Sequence, residues 1–301
     1  MSPTPTAPLT LLCVHPHPDD ESIACGGVLA RAADAGIRTV VVTCTAGEEG
    51  ENLAGIDLGE DDLAAHRRRE LVAALAELGV DGHHQLGYRD SGMVGSAANQ
   101  HPDSFHAADL ELAALELAAI IRAERPQVVV SDDERGTYGH PDHVKAHQVT
   151  VRAVALAAEA AAPVAGAPWQ VVKRYSHTLA KGRLLTAHRA LLAAGLASPF
   201  GEVSVGGVEE LPLGTPDARI TTEVDVGPWL GRKRAAMAAH RSQIGPDSFF
   251  LNTPEELATA LFATEQFMLE AGPLGGHERP ETDLFAGLVA APPSPGRADG
   301  Q

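Results

Sequence analysis

Aromatic side chains are scarce, at 4 % of 301 residues, so the helices must pack closely through small residues. Base-stacking platforms are correspondingly few. Basic residues are also in short supply: 23 Lys and Arg stand against 40 Asp and Glu, a formal charge of −17 that repels a phosphate backbone. Nucleic acid is excluded as a partner. Cys13, Cys25 and Cys44 are odd in number and sit inside predicted strands or a helix, which excludes a disulfide framework and suits small buried hydrophobes in a reducing compartment. Met1 to Pro8 is polar and proline-rich, with no basic start and no long apolar run. Neither signal peptide nor membrane span is predicted, and a cytoplasmic protein is expected. No Gly-x-Gly-x-x-Gly follows the first strand, which argues against a nicotinamide cofactor, and no internal repeat is present.

What is there is an alternation. Leu9 to Val14 reads as a buried strand and Ser22 to Ala35 as a helix that ends at Gly36. Arg38 to Thr45 is the next strand; Leu71, Ala74, Leu75 and Leu78 then mark one face of a helix closed by Gly79. A short strand near His84 to Leu86, a helix marked by Leu110, Leu117, Ile120 and Ile121, and a strand from Gln127 to Asp132 follow. Four such alternations predict an α/β fold, Rossmann-like and doubly wound, with a mainly parallel sheet, helices on both faces and a C-terminal extension. Beyond it, helices are expected over 141–160, 183–194, 228–240 and 255–262, with strands over 169–177 and 220–226. In domain terms, 1–8 is expected as a flexible N-terminus, 9–180 as the catalytic core, 181–290 as a C-terminal part packing over the crevice within the same domain, and 291–301 as a disordered tail.

Two polar clusters stand out from this background. His15-Pro16-His17-Pro18-Asp19-Asp20-Glu21 follows the first strand, and Tyr138-Gly139-His140-Pro141-Asp142-His143 follows the fourth. In the strand order 3-2-1-4-5, those two strands are neighbours where the winding reverses, and ligands bind outside their carboxyl ends. Both clusters should therefore share one crevice. Unpaired charge there is expensive, and His17 and Asp20, three residues apart, can converge on a divalent metal with His143. Two histidines and one carboxylate leave open positions for water, while Asp19, beside Asp20, is the natural general base. His140 could donate a proton or stabilise an oxyanion, with Asp142 holding its ring in one tautomer. His147 is read as a packing histidine and His15 as support for the site. Glu48, Glu49 and Glu51 read as loop solvation, and Asp90 lies in a loop of the kind that lines such a crevice.

These residues resemble a known family. Pro16-His17-Pro18-Asp19-Asp20-Glu21 with Gly139-His140-Pro141-Asp142-His143 is similar to the paired signature of the LmbE-like (PIG-L) zinc N-deacetylases, and the resemblance extends through Thr43 to Glu51, Arg67 to Val80 and Arg89 to Met93. It implies that His17, Asp20 and His143 bind Zn2+, that Asp19 is the general base, and that His140 assists the tetrahedral intermediate with Asp142 tuning it. It further implies that Tyr138 swings over the oxyanion, that Arg67 grips an inositol group, and that Asp90 meets the sugar. The implied substrate is a small amino sugar carrying an N-acetyl group. Within the family the resemblance is closest to the actinobacterial mycothiol enzymes, the N-acetylglucosaminyl-inositol deacetylases and the S-conjugate amidases. Gly139 and Arg89 to Met93 favour the former, and Glu281 to Gly287 the latter. Pro16, where the family often has a small residue, is a departure.

The ligand set by itself also suits Fe2+, so an Fe(II) oxygenase is an alternative from another class, and a binding protein without turnover is a third. Asp19 argues against the last, which would not need it. The sequence leaves the oligomeric state open.

Overall fold

Each apolar strand has two faces to bury, and the chain supplies helices for both. In the computed structural model, residues 9–288 are described apart from 60–61, 197, 199, 202–205 and 277–278, so the expectations for 1–8 and 291–301 lie outside the described residues. β1 (Thr10–His15) leads into α1 (Asp20–Asp34), β2 (Arg38–Thr45) into α2 (Leu63–Leu78), and β3 (Gly82–Tyr88) into α3 (Leu110–Glu124). β4 (Val128–Ser131) is followed by the single turn α4 (Gly136–Gly139), then α5 (Pro141–Ala158), β5 (Lys173–Thr178) and α6 (Lys181–Ala193). β6 (Thr222–Asp225), α7 (Leu230–Ala239), the short α8 (Phe249–Asn252), α9 (Glu255–Phe262) and β7 (Thr264–Ala271) complete the fold.

The sheet order is β3-β2-β1-β4-β5-β7-β6, parallel from β3 to β5. β1 therefore lies between β2 and β4, and the reversal of winding falls between β1 and β4 as the alternation predicts. Side chains of β1 alternate between two cores. Leu11 and Cys13 pack with Val28 and Leu29 of α1 and Leu71 of α2, whereas Leu12 and Val14 pack with Leu117 of α3 and Val149 of α5. Such two-sided burial explains the apolar centre of this strand.

Strand β7 was not expected. It pairs antiparallel with both β5 and β6 and turns the end of the chain into part of the sheet. Its polar Glu265 and Gln266 are both buried. Glu265 is satisfied by distant groups: Oε1 accepts from Gly27 N at 2.7 Å and Lys233 Nζ at 2.6 Å, and Oε2 accepts from Val28 N at 2.8 Å. A charge neutralised from two other elements leaves no trace in a local pattern.

The same corner requires a glycine. A Cβ on Gly27 would lie 2.4 Å from Cβ of Val226, a branched side chain that cannot swing away. Gly27→Ala is accordingly expected to destabilise the fold by about 1–3 kcal/mol, through overpacking. Urea unfolding should show a lowered midpoint with an unchanged slope, and an unchanged midpoint would contradict this packing. Glu265→Gln leaves Lys233 buried without its partner and is expected to cost about 3–5 kcal/mol in the same measurement.

Candidate active site and metal centre

The two polar clusters meet at the carboxyl ends of β1 and β4. Oδ2 of Asp20 lies 3.4 Å from His17 Nδ1 and 3.5 Å from His143 Nε2, across a sequence separation that only the fold can close. Ring nitrogens of His17, His140 and His143 also lie within 4.8 Å of one another. Each converging imidazole is anchored by its other nitrogen. His143 Nδ1 bonds Asp132 Oδ1 at 2.7 Å, and His17 Nε2 approaches Asp142 Oδ2 at 3.2 Å and Asp90 Oδ1 at 3.5 Å. Anchoring of this kind fixes a tautomer and turns the free nitrogen toward a metal.

The electrostatics favour a cation. Asp19, Asp20, Asp90, Asp132 and Asp142 crowd around one point, and among the described residues Arg67 is the guanidinium paired with one of them, Asp19. Burial alone would lower the pKa of His17, but Asp142, Asp20 and Asp90 outweigh it and hold the ring well above its usual value. Burial likewise opposes ionisation of Asp20, yet His143 and His17 keep its pKa well below normal. The donor set therefore fits a divalent ion: two oriented imidazoles, one ionised carboxylate and excess negative charge.

Asp19 is held differently. Its backbone sits at φ 115°, a region that L residues rarely adopt and that costs on the order of 1–3 kcal/mol. Its amide donates to Glu21 Oε2 at 3.0 Å, and Glu21 Oε1 is paired at 2.7 Å with Nε2 of the fully buried His240. Arg67 closes the cage, its guanidinium donating to Pro18 O at 2.6 Å, Gly47 O at 2.7 Å and Asp19 Oδ2 at 3.1 Å. Burial raises the Asp19 pKa to about 6, with Arg67 opposing the rise.

One expectation gains a further contact here and another needs correction. Arg67, expected to grip an inositol group, is 3 % exposed, and its guanidinium donates to Asp19 and two backbone carbonyls. Asp142 was to hold the His140 ring, but its carboxylate serves His17 and accepts from the amide and hydroxyl of Ser91. The backbone amide of Asp142 holds His140 instead, donating to Nδ1 at 3.1 Å. An amide only donates, so Nδ1 carries no proton. Burial, His17 and His143 push the His140 pKa down to about 4, leaving a neutral ring with its proton on Nε2.

The remaining candidates fall around this centre. Tyr138 is half exposed, its hydroxyl 3.5 Å from His143 Nε2, on a turn where Gly136, Thr137 and Gly139 all have positive φ. Thr137, strained there, is tied by its amide to Asp133 Oδ1 and by its hydroxyl to Asp132 Oδ1, both at 3.1 Å. Asp90 is buried, with Oδ1 accepting from Gly92 N at 2.8 Å. His147 bonds the Asp132 carbonyl at 3.0 Å, as a packing histidine should. Glu49 is paired with Arg89, and His15 makes no hydrogen bond to the site. Sequence reasoning missed the anchoring role of Asp132; its place at the end of the fourth strand, among neighbouring acids, was the available signal. Beside the centre opens a cavity of about 1370 Å³, floored by Asp19, Asp20, Tyr138 and His143 and walled by Leu184, Phe249 and Leu261.

The family model described as GlcNAc-PI de-N-acetylase matches residues 12–154. A protein of Thermobispora bispora named 1D-myo-inositol 2-acetamido-2-deoxy-alpha-D-glucopyranoside deacetylase is 44 % identical over 301 aligned positions, covering 92 % of this chain and 98 % of that protein. The chain belongs to the GlcNAc-PI de-N-acetylase family. Among solved structures, a conserved protein of Thermus thermophilus superposes with a TM-score of 0.55 at 25 % identity, over 88 % of this chain and 96 % of that one. The 4-carboxy-2-hydroxymuconate hydratase of Pseudomonas putida superposes with a TM-score of 0.57 at 18 % identity, over 90 % of this chain and 99 % of that one. A hydratase on this de-N-acetylase fold shows that the architecture does not decide the chemistry; the site must.

Removing Arg67 takes away the charge that lowers the Asp19 pKa. For the wild type, Asp19 is ionised above about 6, and a cation beside it would move that point lower. Arg67→Met should therefore shift the acid limb of the kcat/KM profile to higher pH. A limb that stays in place would mean that another group controls it.

Proposed function

We propose that this chain is a metal-dependent N-deacetylase that hydrolyses the N-acetyl amide of N-acetylglucosaminyl-inositol to the free amine and acetate. The convergence of His17, Asp20 and His143 beside Asp19 carries the reaction type. The names borne by the relatives carry the substrate.

His17, Asp20 and His143 would hold the ion, with Zn2+ the first choice and Fe2+ compatible with the same donors. Such an ion supplies a Lewis acid for the amide carbonyl and acidifies a bound water. Asp19 takes the proton of the attacking water; its pKa near 6 places it in the basic form at neutral pH and still able to pass the proton to the leaving amine. His140, neutral with Nε2 protonated, offers a hydrogen bond to the carbonyl oxygen as negative charge gathers on it. The Tyr138 hydroxyl, 3.5 Å from His143 Nε2, is a second donor for that oxygen. Asp132 and Asp142 keep the two imidazoles oriented, and Asp90, 3.5 Å from His17 Nε2, stands beside them where it would meet the sugar.

An S-conjugate amidase is the second reading, motivated by Glu281 to Gly287. That stretch packs away from the crevice: Glu281 pairs with the buried Lys173 at 3.3 Å, and Leu284 and Phe285 join the core. Its residues therefore carry little weight on substrate choice, and the deacetylase reading stands first.

The deciding experiment is amine release from N-acetylglucosaminyl-inositol by zinc-loaded protein, run beside a mycothiol S-conjugate. Release from the sugar is expected, falling by about 100- to 10,000-fold in Asp19→Asn, the range for losing a general base. Release only from the conjugate would move the chain to the amidase reading. Equal rates in the variant would remove Asp19 from the mechanism.

A further inference from the structure

Beneath the crevice lies a second group of metal-binding side chains that the proposed reaction leaves unused. Cys13 and His15 are two residues apart on β1 and share one face of the strand. Cys25 reaches the same point from α1. All three are fully buried, and one Sγ or ring nitrogen from each lies within 4.8 Å of the other two. Neither ring nitrogen of His15 has a hydrogen bond of ordinary geometry, and the polar group that interacts with the ring is the Cys25 thiol. A thiol is a weak donor, and an imidazole so poorly met in the interior, beside two sulfurs, calls for an explanation.

We propose that Cys13, Cys25 and His15 form a second cation site, separate from the crevice, that takes a thiophilic divalent ion of the Zn(II) class. Two thiolates and a neutral imidazole are the donors such ions prefer. Charge balance selects the valence. Two thiolates cancel a divalent ion, whereas a monovalent one would leave net negative charge among Leu11, Val28 and Phe267. Binding forms two metal–sulfur bonds and one metal–nitrogen bond and releases the two thiol protons to solvent. Until then Cys25 stays neutral, because burial pushes its thiol well above the ordinary range.

With bonds of about 2.3 Å to sulfur and 2.0 Å to nitrogen, tetrahedral donors sit roughly 3.5–3.8 Å apart. The present donors need to close by on the order of 1 Å at most. His177 lies alongside, its ring centroid 5.7 Å from that of His15, but its Nε2 faces Asp132 Oδ1 at 3.2 Å, so Cys13, His15 and Cys25 are the three protein donors. Occupation would tie β1 to α1 on both sides of the loop that carries His17, Asp19 and Asp20.

The test is Co(II) or Cd(II) loading of the full chain under reducing conditions, with metal content and the near-ultraviolet spectrum recorded together. The donors proposed for the crevice contain no sulfur, so a thiolate-to-metal charge-transfer band reports on the cysteine site. Two metal equivalents per chain and such a band are expected for the wild type. The double variant Cys13→Ala and Cys25→Ala should lose the band and one equivalent, whereas Cys44→Ala should keep both. A wild type without the band overturns the proposal whatever the variants do, and so does a band that survives the double variant or vanishes in Cys44→Ala.

Discussion

Five carboxylates brought to one point, where water can no longer solvate them, are the constraint around which this molecule is arranged. Their mutual repulsion in a low-dielectric crevice has to be met by positive charge or by hydrogen-bond donors. The fold supplies both. Imidazoles at 143 and 17 face Asp132 and Asp142, backbone amides of Ser91 and Gly92 face Asp142 and Asp90, and Arg67 faces Asp19. What remains is room for a divalent ion between Asp20 and two oriented rings.

Among the five, Asp19, the proposed general base, is held by a separate set of contacts. Asp19 adjoins Asp20 in sequence, yet an unusual backbone angle turns it elsewhere, and the pair Glu21 and His240 holds that angle from below. Ser242, two residues beyond His240, is in turn fixed by Glu70 of α2 through its amide and hydroxyl. The strain at one residue is thus sustained by three elements at once, α1, α2 and the segment after α7. Neighbouring carboxylates acquire different duties because their supports differ: histidines keep Asp20 ionised, while burial and a single guanidinium leave Asp19 near neutrality.

Much of the fold could be read because parallel strands buried on both faces need an apolar centre, and Leu11 to Val14, Val40 to Val42 and Val128 to Val130 supply one. The meeting of the two clusters followed from topology alone, since strand order fixes which loops are neighbours. Strand β7 was not legible. Glu265 and Gln266 are polar by local standards, and only Lys233 and the amides of α1, which neutralise Glu265, make the strand a buried one.

Residue types and their spacing, by themselves, determined the α/β winding, the crevice and the side chains at its floor, because periodicity and donor chemistry are local properties of a sequence. The partners of those side chains were decided only by tertiary structure. Arg67 turned out to hold Asp19 and the carboxylate of Asp142 to orient His17, and Asp132 took the anchoring of His143. The physical reason is that a charged group's role depends on which opposite charge or donor lies within about 3–4 Å of it, a distance set by chain segments tens to hundreds of residues away.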